Sequence, residues 1–334
     1  MGREDAVKYP VRMLPAFKDY IWGGNKLVSD WGKSSPFERT AESWELSAHV
    51  NGQSTAANGV YKGMTLSQII ERLGTDCLGT SCEDSDRFPI LIKFIDPCQK
   101  LSIQVHPDDD YALKNEGDHG KTEMWYIAQA DPGSRILCGF KRDLSIAGFI
   151  DAVRNDTLPG LLNDIPVKKK DVFLIEPGTV HAICENQIIA EIQQNSDVTY
   201  RVYDYDRRGP DGNPRELHVS KAVEVSNLTA TFFDGKSQGE LFQKEFGTIR
   251  MLVSCRYFTV TEYDLTEVIS SAELTAGSRS FHALTFIDGS GTIRYGSGDE
   301  RFSKGDTFFI PSGTGTYTVE GRALFLQTEV LKCV

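Results

Sequence analysis

Asp171-Val172-Phe173-Leu174-Ile175, with Gly178-Thr179 behind it, reappears as Asp306-Thr307-Phe308-Phe309-Ile310 with Gly313-Thr314 behind it. The spacing from strand to glycine is the same in both copies, so the chain carries one strand-and-turn unit twice. Around the copies lie short apolar or alternating stretches punctuated by Gly, Asp, Asn and Pro, which is the pattern of strands and tight turns. Tyr200-Arg201-Val202-Tyr203 alternates, and Pro89 to Ile95 runs apolar apart from Lys93. At 334 residues and 40% hydrophobic composition the chain can bury two moderate cores. The expected class is therefore all-β, with two β-barrels and a small helical decoration. Residues 1–235 would form an N-terminal cap plus the first barrel, with a helical insert near 143–165, and residues 236–334 the second barrel.

Three segments keep a helical period. Thr65 to Leu73 places apolar residues on one face and ends at Gly74, a C-cap residue. Asp143 to Val153 carries the stripe Ile146, Phe149, Ile150 and Val153, with Asp143 or Ser145 as cap, and is expected to lean over the mouth of the first barrel. Ser220 to Val225 is a shorter third.

The first half also holds metal-donor residues at strand spacing. In Gln104-Val105-His106 the first and third side chains share one face. Glu123 opens the apolar run Met124 to Ile127, and His181 follows the first strand-and-turn copy. A carboxylate at the start of a buried strand needs a cation or metal beside it. Imidazole and carboxylate suit zinc, iron or manganese, and a neutral amide ligand leaves a position for water or substrate. The second copy has Thr316 where the first has His181 and no Gln-Val-His element, so its interior is expected to be apolar and His282 a satisfied core residue.

The formal net charge of -11 disfavours nucleic acid as a partner, and Lys168-Lys169-Lys170 reads as a solvated loop. Seven cysteines form no regular framework, which fits reduced thiols in the cytoplasm. Met1 to Ala6 has no apolar signal core and makes a poor acylation site, and no apolar run is long enough for a membrane span. Monomer and homodimer stand equal.

Together, Ile21-Trp22-Gly23-Gly24, Glu42-Ser43-Trp44-Glu45, Phe88 to Ile95, Leu101 to Asp108, Lys121-Thr122-Glu123 and Gln193 to Asp197 with Tyr200 to Asp204 form an ordered set. That set resembles the mannose-6-phosphate isomerases of the zinc-dependent cupin type, in their short bacterial form. The resemblance implies two cupin (jelly-roll) barrels and one Zn2+ held by Gln104, His106, Glu123 and His181. It also implies a sugar phosphate as substrate. Arg201 matches the family's active-site arginine, Lys121 the lysine beside the metal glutamate, and Glu191 and Asp197 the acidic residues of the same cavity. Ser102 and Lys93 match pocket residues that hold the sugar phosphate, although Lys93 equally suits a structural ion pair. Arg201 has its own alternative, an ion pair with Asp204 or Asp206. Glu176 stands where the family more often has proline and is expected to alter the turn before His181 only slightly. Trp22 and Trp44 are expected to pack in the core or line the pocket.

Moving a carbonyl between neighbouring carbons through an enediol needs a base and an electrophile together. Zinc suits the second task, while Lys121, Glu191, Asp197 and a metal-bound water all remain open for the first. Two other classes compete. One is a cupin oxygenase, usually richer in histidine ligands; the other is a sugar-binding barrel without catalysis, against which the full set of ligand positions argues.

Overall fold

The six-residue run Ile90–Ile95 forms a strand buried along its whole length, because both faces of its sheet are covered. It lies in a six-stranded sheet with Glu42–Leu46, Gln187–Gln194, Glu123–Ala130, Val172–Ile175 and Ala16–Lys18. A five-stranded sheet of Leu162–Pro166, Arg135–Phe140, His181–Ile183, Ile103–Val105 and Tyr200–Tyr203 faces it. Trp125, Ile127, Phe173 and Ile189 from the first sheet share a cluster with Ile136, Cys138 and Ile183 from the second. The site is built at the open end of this sandwich. The computed structural model describes residues 7–209, 212–267, 269–296 and 298–331. The readings made for Met1 to Ala6 and for Cys333 lie outside these residues.

Strand alternation sorts the two faces of the six-stranded sheet. Lys93, Glu123, Trp125 and Glu191 point between the sheets, whereas Ile92, Phe94, Met124, Ala190 and Ile192 point outward. That outward face packs against a ten-stranded sheet from the second half, through Leu252, Val260, Ala283, Phe309 and Leu326. The chain thus has one apolar layer continuous across both halves. The N-terminal strand Val11–Leu14 crosses the same seam, since Val11 pairs with Phe309 inside the ten-stranded sheet. Inside the second half, Phe286, Phe302, Phe308, Ile310 and Phe325 fill the apolar interior expected of the copy without ligands. His282 is buried there, its Nδ1 2.7 Å from Tyr317 Oη and its Nε2 3.2 Å from Glu329.

The two copies of the repeated unit take one form. Val172–Ile175 and Thr307–Ile310 are strands, and the glycines behind them, Gly178 and Gly313, have φ of 84° and 78°. A Cβ on Gly178 would also stand 2.8 Å from the Val225 carbonyl, so this turn requires glycine twice over. The molecule is mostly β, and its strand pairing runs as open sheets.

Leu66–Leu73 is opened by a capping box in which Thr65 and Gln68 satisfy each other's backbone N–H, an arrangement of about 1 kcal/mol. Ile146–Arg154 is capped by Ser145, while Asp143 accepts instead from the Ala230 N–H. This helix does not lean over the mouth. Phe149, Ala152 and Val153 pack with Ile103, Val105 and Ala182 on the outer face of the five-stranded sheet. Its apolar stripe is attracted to the apolar back of that sheet, not to the polar opening. Val219–Val225 covers the same face. Asp109–Asn115 is a helix that the apolar period does not reveal, because only Ala112 in it is buried; the signal is Asp108, which caps it through the Tyr111 N–H. The lysines at 168–170 are more than a solvated loop, since Lys169 reaches Asp288 at 3.1 Å and Lys170 reaches Asp264 at 2.6 Å across the seam. Among the described residues no helix is long and apolar enough to cross a membrane.

Candidate active site

His181 and Gln104 are directly opposed partners of adjacent strands, and Gln104 is also opposed to Arg201 on its other side. Their side chains therefore stand in one row across the five-stranded sheet. Glu123 comes from the facing sheet. Its Oε1 lies 3.3 Å from His181 Nε2 and its Oε2 3.5 Å from His106 Nε2, and all three residues are buried. The ligand atoms of these three residues lie within 4.8 Å of one another.

The imidazoles are aimed by their other nitrogens. His106 Nδ1 lies 2.9 Å from the Val198 carbonyl and His181 Nδ1 2.9 Å from the Thr179 carbonyl, so each Nδ1 carries the proton and each Nε2 presents a lone pair to the centre. Burial pushes both imidazoles down, His181 to about 4, which keeps them neutral as metal ligation requires. His181 Nε2 and Glu123 Oε1 are buried without a hydrogen-bond partner. Leaving such atoms unpaired costs about 1–3 kcal/mol each, more for a charge, and a divalent cation would satisfy both at once. The donors fit a metal. Gln104 lines the cavity beside them.

Lys121 lies against this cluster, its Nζ 3.0 Å from Glu123 Oε2 and 3.2 Å from His106 Nε2. Above it opens a cavity of about 300 Å³ whose walls include Lys93, Ser102, Gln104, Lys121, Glu191, Asp197 and Arg201. Every residue singled out for substrate or catalysis from the sequence is therefore on one wall or another. Glu191 is clamped by the Trp125 indole N–H at 2.9 Å and by Lys93 Nζ at 3.5 Å. Burial works against its charge, but Lys121, Lys93 and that hydrogen bond outweigh it and hold Glu191 below the usual carboxylate range. Lys93 also lies 3.7 Å from Glu42; burial opposes its charge, and Glu42 and Glu191 together raise it well above the usual value. Lys93 is thus an ion-pair residue that also lines the cavity.

Arg201 does not pair with Asp204 or Asp206. Asp204 is taken by Arg215, whose Nε and Nη2 donate to it at 2.7 and 2.5 Å, and by Arg207. Arg201 donates through Nη1 to the Glu216 carbonyl at 3.0 Å, and its Nε is buried without a partner. Burial and the neighbouring Arg215 lower its affinity for its own proton, against the opposing charge of Asp204. Asp197 accepts from Asn51 Nδ2 at 3.1 Å. Glu176 leaves the turn intact, because its carbonyl accepts the Thr179 N–H at 3.1 Å while the Gly178 N–H reaches the His106 carbonyl at 2.9 Å.

Tyr20, Glu42, Thr199 and Arg215 also line the cavity and were not assigned from the sequence. Glu42 alternates with Trp44 and Leu46 in the buried strand Glu42–Leu46, a usable signal; Arg215 had none, since Asn213-Pro214-Arg215 is a polar loop without period. Trp22 lines the cavity, whereas Trp44 is fully buried and donates to Glu42 at 2.6 Å.

Two facing sheets that converge neutral imidazoles and a carboxylate below a polar, cation-lined cavity define a β-sheet metalloenzyme fold. Residues 11–142 match the family model of the phosphomannose isomerase type I catalytic domain, and residues 248–328 that of the mannose-6-phosphate isomerase cupin domain. Mannose-6-phosphate isomerase ManA of Bacillus subtilis is 38% identical over 94% of this chain and 96% of its own. A crystal structure of the mannose 6-phosphate isomerase from Bacillus subtilis superposes with a TM-score of 0.87 at 38% identity, covering 96% of this chain and 99% of that one. A mannose 6-phosphate isomerase described as bound with zinc and yttrium shares the fold at a TM-score of 0.75 and 15% identity, over 97% of this chain and 100% of its own. The chain belongs to the mannose-6-phosphate isomerase family.

Proposed function

We propose that this protein interconverts mannose 6-phosphate and fructose 6-phosphate, with one zinc ion held by Gln104, His106, Glu123 and His181. The observation that carries the reading is the buried cluster of His106, Glu123 and His181, with His181 Nε2 and Glu123 Oε1 lacking hydrogen-bond partners, beside a cavity of about 300 Å³. Zinc supplies the Lewis acid that stabilises negative charge on the carbonyl and hydroxyl oxygens of the substrate. Arg201, with Arg215 beside it, receives the phosphate, for which planar guanidinium groups are suited. Lys93 and Ser102 hold the sugar. Lys121, Glu191 and Asp197 are the groups that hold or move the proton between the two carbons. An amide ligand in place of another imidazole favours this redox-neutral chemistry over an oxygenase.

The same reading takes each half as a cupin barrel, catalytic through residue 235 and bracing from 236 onward. The repeated strand-and-turn unit and the two matched regions, 11–142 and 248–328, support it. A cytoplasmic setting is supported by the thiols of Cys77, Cys98, Cys138 and Cys184, which form no disulfide.

The test is fructose 6-phosphate formation from mannose 6-phosphate by the purified protein as isolated, after chelation and after zinc is restored. Activity that disappears and returns with zinc supports both substrate and metal. A folded, metal-loaded protein without this activity would reject the substrate.

A further inference from the structure

A cavity of about 580 Å³ along the seam between the halves is lined by Asp109, His119, Gln194 and Tyr257, and a hydrogen-bond path leads from it to the backbone beside the metal cluster. Tyr257 is the only one of these four that belongs to the second half. Its hydroxyl donates to Asp109 Oδ2 at 2.7 Å. The other oxygen, Asp109 Oδ1, accepts the Gly120 N–H and the Gln194 side-chain amide, each at 2.9 Å. Gln194 in turn accepts the Thr122 N–H on its side-chain oxygen at 2.8 Å, and its own N–H donates to the Thr122 carbonyl at 3.0 Å. The Lys121 N–H completes the set by donating at 3.0 Å to the carbonyl of Pro107, the residue after His106.

The backbone of 120–122 is therefore fixed on both sides of Lys121, and Glu123 follows immediately. Gly120 is required for this approach, since a Cβ there would stand 2.4 Å from the Asp108 carbonyl carbon. A carboxylate in a metal cluster, such as Glu123, keeps its aim only if its backbone cannot shift, and outer-shell partners of metal ligands commonly change metal affinity by roughly 10- to 100-fold. Asp109 is the hub. Burial works against its charge, but the bonds from Tyr257, Gln194 and Gly120 prevail and hold it below the usual carboxylate range.

We infer that Tyr257 is a positioning residue for the metal centre, through which the second half sets the placement of Lys121 and Glu123 by way of Asp109 and Gln194. The inference rests on the metal-binding reading but not on the identity of the sugar. It gives the half without ligands a part in the chemistry beyond bracing.

The experiment compares Tyr257→Phe with Tyr126→Phe in the zinc-loaded full chain. Tyr126 also crosses the seam, donating to Glu262 at 2.6 Å, but its hydroxyl has no link to the 120–123 segment. Zinc release into a colorimetric chelator is followed by stopped flow, with the melting temperature of the metal-free protein and the kcat and KM of the isomerase measured in parallel. Tyr257→Phe should release zinc about tenfold faster and lower kcat with little change in KM, while Tyr126→Phe lowers the melting temperature without altering release. Asp109→Asn, which replaces the shared acceptor, should release zinc faster still. Wild-type release from Tyr257→Phe, or equal acceleration by Tyr126→Phe, would overturn the inference. Because release is read without sugar, a wrong substrate assignment leaves this result unaffected.

Discussion

Gln104 and His181 face each other across adjacent strands of one sheet, while Glu123 approaches His181 from the facing sheet. Of the proposed ligands Glu123 is the one carboxylate, and it already pairs with Lys121.

Removal of His181 should empty the site, and removal of Gln104 should only loosen it. We expect His181→Ala to purify without metal and to lose activity by at least about 10³-fold, while Gln104→Ala binds zinc about tenfold more weakly and regains activity when zinc is raised. Metal content by mass spectrometry, set beside kcat/KM at two zinc concentrations, separates these outcomes.

Arg201→Ala should act on the phosphate. With its Nε unpartnered and Asp204 engaged elsewhere, this guanidinium forms no ion pair among the described residues that the substitution would disturb. Loss of one charged partner corresponds to about 2–4 kcal/mol, so kcat/KM for mannose 6-phosphate should fall roughly 30- to 1000-fold, with a much smaller loss for unphosphorylated mannose. Equal losses on both sugars would remove phosphate binding as its role.

Asp204 is buried between Arg207 and Arg215, and its replacement by Asn leaves two cations without their counter-charge. We expect Asp204→Asn to destabilise the protein by about 3 kcal/mol and to raise KM by freeing Arg215 from its place on the cavity wall. Urea unfolding and steady-state kinetics on the same preparation test both effects. An unchanged KM would separate Arg215 from substrate binding.

Asp96 gives the fold a dependence on pH. Burial pushes its carboxyl up to about 6 against the opposing Lys26 and Leu27 N–H groups. Between pH 4 and 6 the folded chain holds a proton that the unfolded chain has already lost, so this stabilisation is full at the acid end and is lost as pH rises through 6. Asp96→Asn, which keeps an acceptor without the charge, should flatten the unfolding free energy across that window and add on the order of 2 kcal/mol at pH 7. Denaturant melts at pH 4, 5, 6 and 7 would show it; parallel curves for the two proteins would refute it.

Local pattern carried what was legible. Gln104, His106, Glu123 and His181 stand in apolar strand segments, where alternation announces which side chains point inward. The capping box at Thr65 and Gln68, and the cap at Ser145, are likewise written in adjacent residues. What escaped depends on pairing between distant segments. The side of the sheet that Ile146–Arg154 covers, the capture of Val11–Leu14 by the second half, and the arrival of Arg215 at the cavity have no local signature. Arg201 illustrates both cases: its strand was readable, but its freedom from Asp204 became visible only when Arg207 and Arg215 were seen to occupy that carboxylate.

The pairing of Val11 with Phe309 joins residues about 300 positions apart. One edge of Val11–Leu14 finds Thr55–Ala56 nearby in sequence, while the other must wait for Thr307–Ile310. Contacts of such long range slow folding, and until then that edge stays unpaired. A chain cut between the halves would leave it so, and Thr307–Ile310 therefore decides when Val11–Leu14 is held on both sides.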